Sequence, residues 1–270
     1  MVKKIFLLFF IFIFNLFFVD VAFAYCPYRI VQDPIGFYVV EVDTSNDNAS
    51  LQPFYVKGLK TNNAVYQDLE PRLVVNAGFF DPKNKKTVSY VVINGQVVLN
   101  PQNNENLMEN VALKPFFDKI LNRSEFRILE DEQGEITYDI APHNEDVKEG
   151  LSIKHSIQGG PMLLPDLRLE EEFFVLKDSE GKIISESASA LHKFPRTAIG
   201  IKDNKVYLFL ATVDYPMSLE DLSEMAKKWG MEKAMAFDGG GSTSFDSQEL
   251  HIVSDKDKTA RKLKSFLILK

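Results

Sequence analysis

The chain has 270 residues, 45% of them hydrophobic, with 31 Lys and Arg against 38 Asp and Glu and a formal charge of −7. A net acidic surface argues against nucleic acid as the natural partner, while leaving room for a local basic pocket that takes a small anion. Cys26 is the only cysteine, so an internal disulfide and a Cys-based metal site are both excluded.

Lys3 and Lys4 precede an apolar run over residues 5–19 that only Asn15 interrupts, and Ala22-Phe23-Ala24 follows as a small-x-small cleavage pattern. The run falls short of the roughly 20 residues a membrane-spanning helix needs. Residues 1–24 are expected to be a signal peptide and residues 25–270 the mature domain, secreted or periplasmic. Contact with a membrane would come only through the leader, if it stays uncleaved. Removal of Lys3, Lys4 and Asp20 moves the formal charge from −7 to −8.

In chain order, residues 36–42 alternate as a strand and residues 51–56 form a candidate partner for it. Residues 72–76 are a short apolar run ending at Asn76. Residues 88–98 form a hairpin turning at Asn94-Gly95. Residues 101–109 are polar and Asn-rich, residues 111–121 are helical around Pro115, and residues 126–140 form a second hairpin at Gln133-Gly134. Their texture marks residues 100–150 as an insertion or lid outside the core.

Residues 206–213 are a continuous apolar strand ending at Asp214. Ser218 caps the next helix, whose buried stripe is Leu219, Leu222, Met225, Ala226 and Trp229, and Gly230 ends it. A strand over residues 234–237 follows, and residues 264–269 close the chain. A strand–helix–strand crossover favours a parallel pair. The expected fold is therefore α/β (α+β): a mixed β-sheet flanked by helices, with the insertion near residues 100–150.

Three polar clusters stand at strand ends: Asn76 with Phe79-Phe80-Asp81, Gln158-Gly159-Gly160-Pro161, and Asp238-Gly239-Gly240-Gly241-Ser242-Thr243. Ligands collect where strand-end loops converge. Three glycines after an aspartate fit a nest of N–H groups for an anion, and they equally fit a tight structural turn. Neither a Walker loop nor a dinucleotide loop is present, because no Gly-Lys-Ser/Thr and no helix follows. Arg196, after Pro195, carries a fork suited to a phosphate or to an ordinary ion pair. His192 could serve as a base or be a solvated loop residue. His143, His155 and His251 show no ligand spacing, so no metal is expected, and nothing calls for a cofactor.

Asn76-Ala77-Gly78-Phe79-Phe80, Gly159-Gly160-Pro161-Met162-Leu163-Leu164, Arg196-Thr197-Ala198-Ile199-Gly200 and Phe237-Asp238-Gly239-Gly240-Gly241-Ser242 occur in this order. Together they resemble the phosphodiester glycosidase family over about residues 70–270. The resemblance implies functional roles for Asn76, Gly160, Arg196, Thr197, Asp238, Gly240, Gly241 and Ser242. It implies one also for Arg261, which stands where the family tends to carry an Arg before the last strand. Residues 100–150 have no match in the pattern, and Gln158 replaces a residue that is small in many members.

The resemblance implies an exported hydrolase that cleaves the glycosidic bond of a sugar-phosphate diester, or of a phosphate-containing glycan, in exopolysaccharide or cell-wall metabolism. Asp238 is the expected catalytic carboxylate, with Asp214 or Asp81 as a second. Arg196, Arg261 and the amides of Gly239, Gly240 and Gly241 are expected to hold the phosphate. Two rival readings fit the same residues: a non-catalytic carbohydrate-binding domain, and a metal-dependent phosphodiesterase that cuts the P–O bond.

Overall fold

The structure, a computed structural model, describes residues 26–45, 49–253 and 260–270. The expected leader and its cleavage point lie outside the described residues. Among these residues no helix is long and apolar enough to cross a membrane.

The protein is mostly β, an α+β fold built on three larger sheets and one two-stranded ribbon. A six-stranded sheet runs in the order Tyr28–Gln32, Phe37–Val42, Lys205–Ala211, Arg196–Lys202, Lys233–Ala236, Met162–Leu164. A five-stranded C-terminal sheet runs His251–Val253, Ser244–Ser247, Leu73–Asn76, Leu263–Leu269, Leu51–Lys60. A five-stranded middle sheet runs Gln96–Leu99, Val91–Ile93, Leu151–Gln158, Ser124–Asp131, Ile136–Pro142.

Alternation along the strands sorts side chains into layers. On the six-stranded sheet, Val40, Leu208, Leu210 and Ile199 face a central core shared with Leu73, Val75 and Leu267 of the C-terminal sheet and with Phe126 and Ile157 of the middle sheet. Their neighbours Phe37, Val39, Phe209 and Ala198 face the helix Leu219–Lys228. Val74, Phe266 and Ile268 point the opposite way from the core and pack against Val65 of the helix Asn62–Leu69. Each large apolar side chain so enclosed contributes about 1.5–3 kcal/mol.

The helix Leu219–Lys228 has the expected capping box: the Asp221 N–H donates to Ser218 Oγ at 3.0 Å, and the Ser218 N–H donates to the Asp221 carboxylate at 3.1 Å. The Asn94-Gly95 hairpin is also present, with positive φ at both residues.

Three expectations are corrected. First, every strand pairing among the described residues is antiparallel. Lys205–Ala211 and Lys233–Ala236 do run in the same direction, but Arg196–Lys202 lies between them and pairs with both. It joins Lys205–Ala211 through a tight hairpin at Asp203-Asn204, both at positive φ. Second, Leu51–Lys60 pairs with Leu263–Leu269 in the C-terminal sheet, not with Phe37–Val42. Third, residues 124–142 are core rather than insertion: Phe126, Ile128 and Ile140 belong to the central cluster. The polar run that disguised them buries its own charges in pairs, with Glu125 2.8 Å from Arg127 and bonded to the His143 ring. Only the short helices Pro101–Asn103, Glu105–Met108, Lys114–Phe116 and Phe117–Leu121 stand outside the sheets.

The three polar clusters mark three of the four points where the chain leaves one large sheet for another, the other being between Val42 and Leu51. Residues 77–90 carry it from the C-terminal to the middle sheet, residues 159–161 from the middle to the six-stranded sheet, and residues 237–243 back to the C-terminal sheet.

Candidate active site

Asp238 sits at the last of these crossings, just past the strand Lys233–Ala236. Its N–H donates to the Ala77 carbonyl at 2.9 Å, and its own carbonyl accepts from Asn76 Nδ2 at 2.5 Å. The Asn76 Oδ1 accepts from Thr197 Oγ1 at 2.8 Å and from the Ser244 N–H at 3.0 Å. One amide thus bolts together the ends of strands from two sheets, and it is 1% exposed. Asn76 and the buried Thr197 position the loop; neither opens toward a ligand. Asn76→Ala would leave the Thr197 hydroxyl and the Ser244 N–H without a partner, at a cost of about 2–4 kcal/mol in urea unfolding. Wild-type stability in that variant would contradict the clamp.

The Asp238 carboxyl is half-buried, and burial pushes its pKa up to about 6. Hydrogen bonds from Ser242 Oγ and the Gly239 N–H, and the nearby Arg261 guanidinium, oppose that rise. Arg261 is exposed, donates to Ser242 Oγ at 3.3 Å and lies 5.6 Å from the centre of the Phe80 ring. The Asp238–Ser242–Arg261 string is thus a carboxylate and a solvent-exposed cation joined through one hydroxyl.

The glycines divide their labour. A Cβ at Gly239 would sit 3.1 Å from the Pro195 carbonyl oxygen and 3.5 Å from Arg196 Cδ, so a side chain there would crowd the loop against the Arg196 strand. The Gly240 N–H donates to the Pro195 carbonyl at 2.8 Å. Among the described residues the Gly241 N–H alone of the three has no acceptor. The expected three-amide nest therefore reduces to one free donor. Gly160 serves packing rather than substrate: its N–H donates to the Ala236 carbonyl at 2.8 Å, and a Cβ there would collide with the Glu172 carboxylate.

Arg196, expected to hold the phosphate, turns its guanidinium to loop carbonyls in this structure. Its Nε donates to the Met217 carbonyl at 2.9 Å, Nη1 to Ala188 at 3.1 Å, and Nη2 to Ser189 at 2.6 Å and His192 at 2.8 Å. Four of its five N–H donors are spent on loop carbonyls, and burial lowers its pKa to about 10. The His192 ring is solvent-exposed, 3.3 Å from Glu186.

The two candidate second carboxylates do not reach Asp238. Asp214 is exposed on the far side of the Arg196 strand, packed on Gly36 and facing a separate hollow with Lys193 and Lys228. Burial pushes Asp81 up, but the Asn106 amide and the Lys83 N–H outweigh it and hold its carboxyl below the ordinary value.

A cleft of about 690 Å³ is lined by residues that include Asp81, Asn106, Leu113, Arg123, Phe173 and Ser187, and it meets the Asp238 site only through Asp81, the residue after Phe80. Sequence reasoning missed Arg123 and its neighbour Glu172. Arg123 stands between Asn122 and Ser124, and Glu172 ends a run of three glutamates, so neither has a local pattern that separates it from surface charges. Among the described residues no group of three or more His, Cys, Asp or Glu gathers as a metal site.

Fold and site together define a class: an antiparallel α+β protein with a buried-edge carboxylate on a glycine-rich crossing between sheets. The phosphodiester glycosidase family model matches residues 70–270, and the chain belongs to that family, a family of hydrolases. Among solved structures the chain is similar to the catalytic domain of zebrafish N-acetylglucosamine-1-phosphodiester alpha-N-acetylglucosaminidase, described as auto-inhibited by its pro-peptide. The TM-score is 0.61 at 15% identity, covering 89% of this chain and 80% of that one. A hypothetical protein from Synechocystis gives a TM-score of 0.60 at 14% identity and covers 90% of this chain, which spans 61% of its length. A Burkholderia pseudomallei protein described as exported gives a TM-score of 0.52 at 12% identity, covering 86% of this chain and 73% of that one. At these identities the likeness concerns the fold. No curated protein matches the chain.

Proposed function

We propose that this chain hydrolyses the glycosidic C–O bond of a sugar-phosphate diester, with Asp238 as the catalytic carboxylate and Arg261 as the cation that meets the phosphate. The observation that carries the reading is the Asp238–Ser242–Arg261 string. A carboxylate with a pKa near 6 is ionised at neutral pH, yet held in a poorly solvated place where its charge is available to attack the anomeric carbon or to activate water. The departing group is a phosphomonoester, whose oxygen is a good leaving group that needs no proton from the protein. A lone carboxylate then suffices, in keeping with a site whose described residues place neither Asp81 nor Asp214 against Asp238. Arg261 and the Gly241 N–H stabilise the charge that builds on the departing phosphate oxygen. The leader pattern supports export, and a phosphate-containing glycan of the envelope or an exopolysaccharide is the substrate class we propose.

The test compares wild type and Arg261→Ala on a sugar-phosphate diester and on a nitrophenyl glycoside of the same sugar. We expect the diester to lose about 2–4 kcal/mol in kcat/KM, by analogy with one preorganised donor at developing charge, and the neutral glycoside to lose less than about tenfold. Equal losses on both substrates would remove Arg261 from the phosphate and leave a glycosidase of another aglycone.

A further inference from the structure

Arg123 is a buried cation without a salt bridge. It is 7% exposed, and no carboxylate among the described residues lies within ion-pair distance of it. Its Nε donates to the Glu172 carbonyl at 3.0 Å and its Nη2 reaches the Phe173 carbonyl at 3.4 Å, while Nη1 has no acceptor among the described residues. The guanidinium lies 4.1 Å from the centre of the Phe174 ring and 5.7 Å from that of Phe79. The Glu172 carboxylate is occupied by the Ser124 N–H, the Ser124 hydroxyl and the Met162 N–H, and burial pushes it toward its neutral form. Glu172 attracts this charge from a distance without forming an ion pair, so Arg123 is only partly compensated, and an anion arriving at it would lower the remaining cost.

The cation faces the right place. It lines the 690 Å³ cleft, and two of the residues that line the cleft, Asp81 and Ser187, are followed or preceded in the chain by residues that lead toward the Asp238 loop. Asp81 follows Phe80, whose ring carries Arg261, which bonds Ser242. Ser187 precedes Ala188 and Ser189, whose carbonyls are held by Arg196 against Gly239. Of the three acidic residues that line the cleft, Asp81 is bonded to Asn106 and Glu105 is paired with Lys86, while Glu109 has no ion-pair partner among the described residues.

We propose that Arg123 is the second anion-binding residue of the substrate cleft, taking a phosphate or carboxylate group of the glycan other than the scissile phosphodiester. The favoured substrate is then a glycan with anionic groups on more than one unit, one at Arg261 and one at Arg123. The substrate identity rests on the hydrolase reading above; the anion site itself does not, because its occupancy needs no turnover.

The experiment is calorimetric titration of the full chain with inorganic phosphate, and separately with glucuronate, at low and high salt. Wild type is expected to bind two phosphates per chain, with affinity falling as salt rises. Arg123→Gln and Arg261→Ala should each retain one, and the affinity at the lost site should drop at least tenfold. Arg123→Lys keeps the charge but not the fork, and it should bind at the Arg123 site several-fold more weakly than wild type. The same stoichiometry in Arg123→Gln as in wild type would overturn the proposal, as would a glutamine variant that only melts earlier while binding both anions. Should Arg123→Gln fail to fold, wild-type affinity and stoichiometry in Arg123→Lys would overturn it. The glucuronate arm tells a carboxylate ligand from a phosphate, whichever binds more tightly at Arg123. In turnover, Arg123→Gln should raise KM about tenfold or more for an anionic glycan diester and less than threefold for a neutral one, with kcat little changed. If phosphate binds at Arg123 but no diester is hydrolysed by wild type, the anion site stands and the glycosidase reading falls.

Discussion

Asp238→Asn is expected to lower turnover at least a thousandfold and to melt later than wild type at pH 7.5. The two effects share one cause. Asn is nearly isosteric and its side-chain oxygen can still accept from Ser242 Oγ and the Gly239 N–H, so the loop held by Asn76 should keep its shape. What is lost is the charge that attacks or activates water. The stability effect follows from linkage. The folded-state pKa is raised to about 6 by burial, above the value of an exposed aspartate. Between about pH 4 and 6 the unfolded chain releases this proton while the native state keeps it, so native stability falls as pH rises through that window, and the full cost applies above it. Discounted for the partly open site, the cost is about 1–2 kcal/mol at pH 7.5 and vanishes near pH 4. Melting curves of the two proteins at both pH values measure it. In wild type, kcat/KM should fall about tenfold per pH unit below pH 6, because the ionised carboxylate is the working form. If Asp238→Asn keeps more than a tenth of wild-type turnover with an unchanged melting curve, the catalytic carboxylate lies elsewhere.

Arg196→Ala is expected to cost about 3–5 kcal/mol and to lower Tm by roughly 10 °C or more. The carbonyls of Ala188, Ser189, His192 and Met217 lose a common charged donor, and the loop that forms one wall of the cleft loses its anchor. Arg196→Lys should recover less than half of that, since a compact ammonium cannot span four carbonyls arranged around a planar fork. Activity in either variant should fall equally on a phosphodiester and on a neutral glycoside, because Arg196 acts through the packing of Gly239. A variant with wild-type melting that loses only the diester would return Arg196 to the phosphate.

The contrast between Arg196 and Arg261 shows what the sequence could and could not disclose. Both arginines stand near conspicuous motifs, and the donor type marks each as a phosphate candidate. Only the positions of distant carbonyls decide which fork is already filled, and those carbonyls belong to loops whose backbone has no sequence mark. The helix Leu219–Lys228 was legible because its cap, stripe and terminal glycine are local. The placement of Arg196–Lys202 between two same-direction strands was not, because sheet order is a non-local choice. Residues 124–142 were hidden for another reason: Glu125 and Arg127 read as surface charges, yet each is buried by the other. The polar clusters were visible, and their common role as crossings between sheets emerged only with the topology. Arg123 carried no signal at all, since an arginine flanked by Asn122 and Ser124 looks like solvent-facing chain.

The central claim is that the bond cleaved is the sugar C–O bond next to a phosphate. Hydrolysis of a sugar-phosphate diester in ¹⁸O-labelled water tests it most directly, read by mass spectrometry and ³¹P NMR of the released phosphomonoester. Cleavage at the anomeric carbon over Asp238 puts the label on the sugar and leaves the phosphomonoester unlabelled. One ¹⁸O atom in the phosphomonoester for each turnover would mean that water attacked phosphorus, and the glycosidase account built on Asp238 and Arg261 would be wrong.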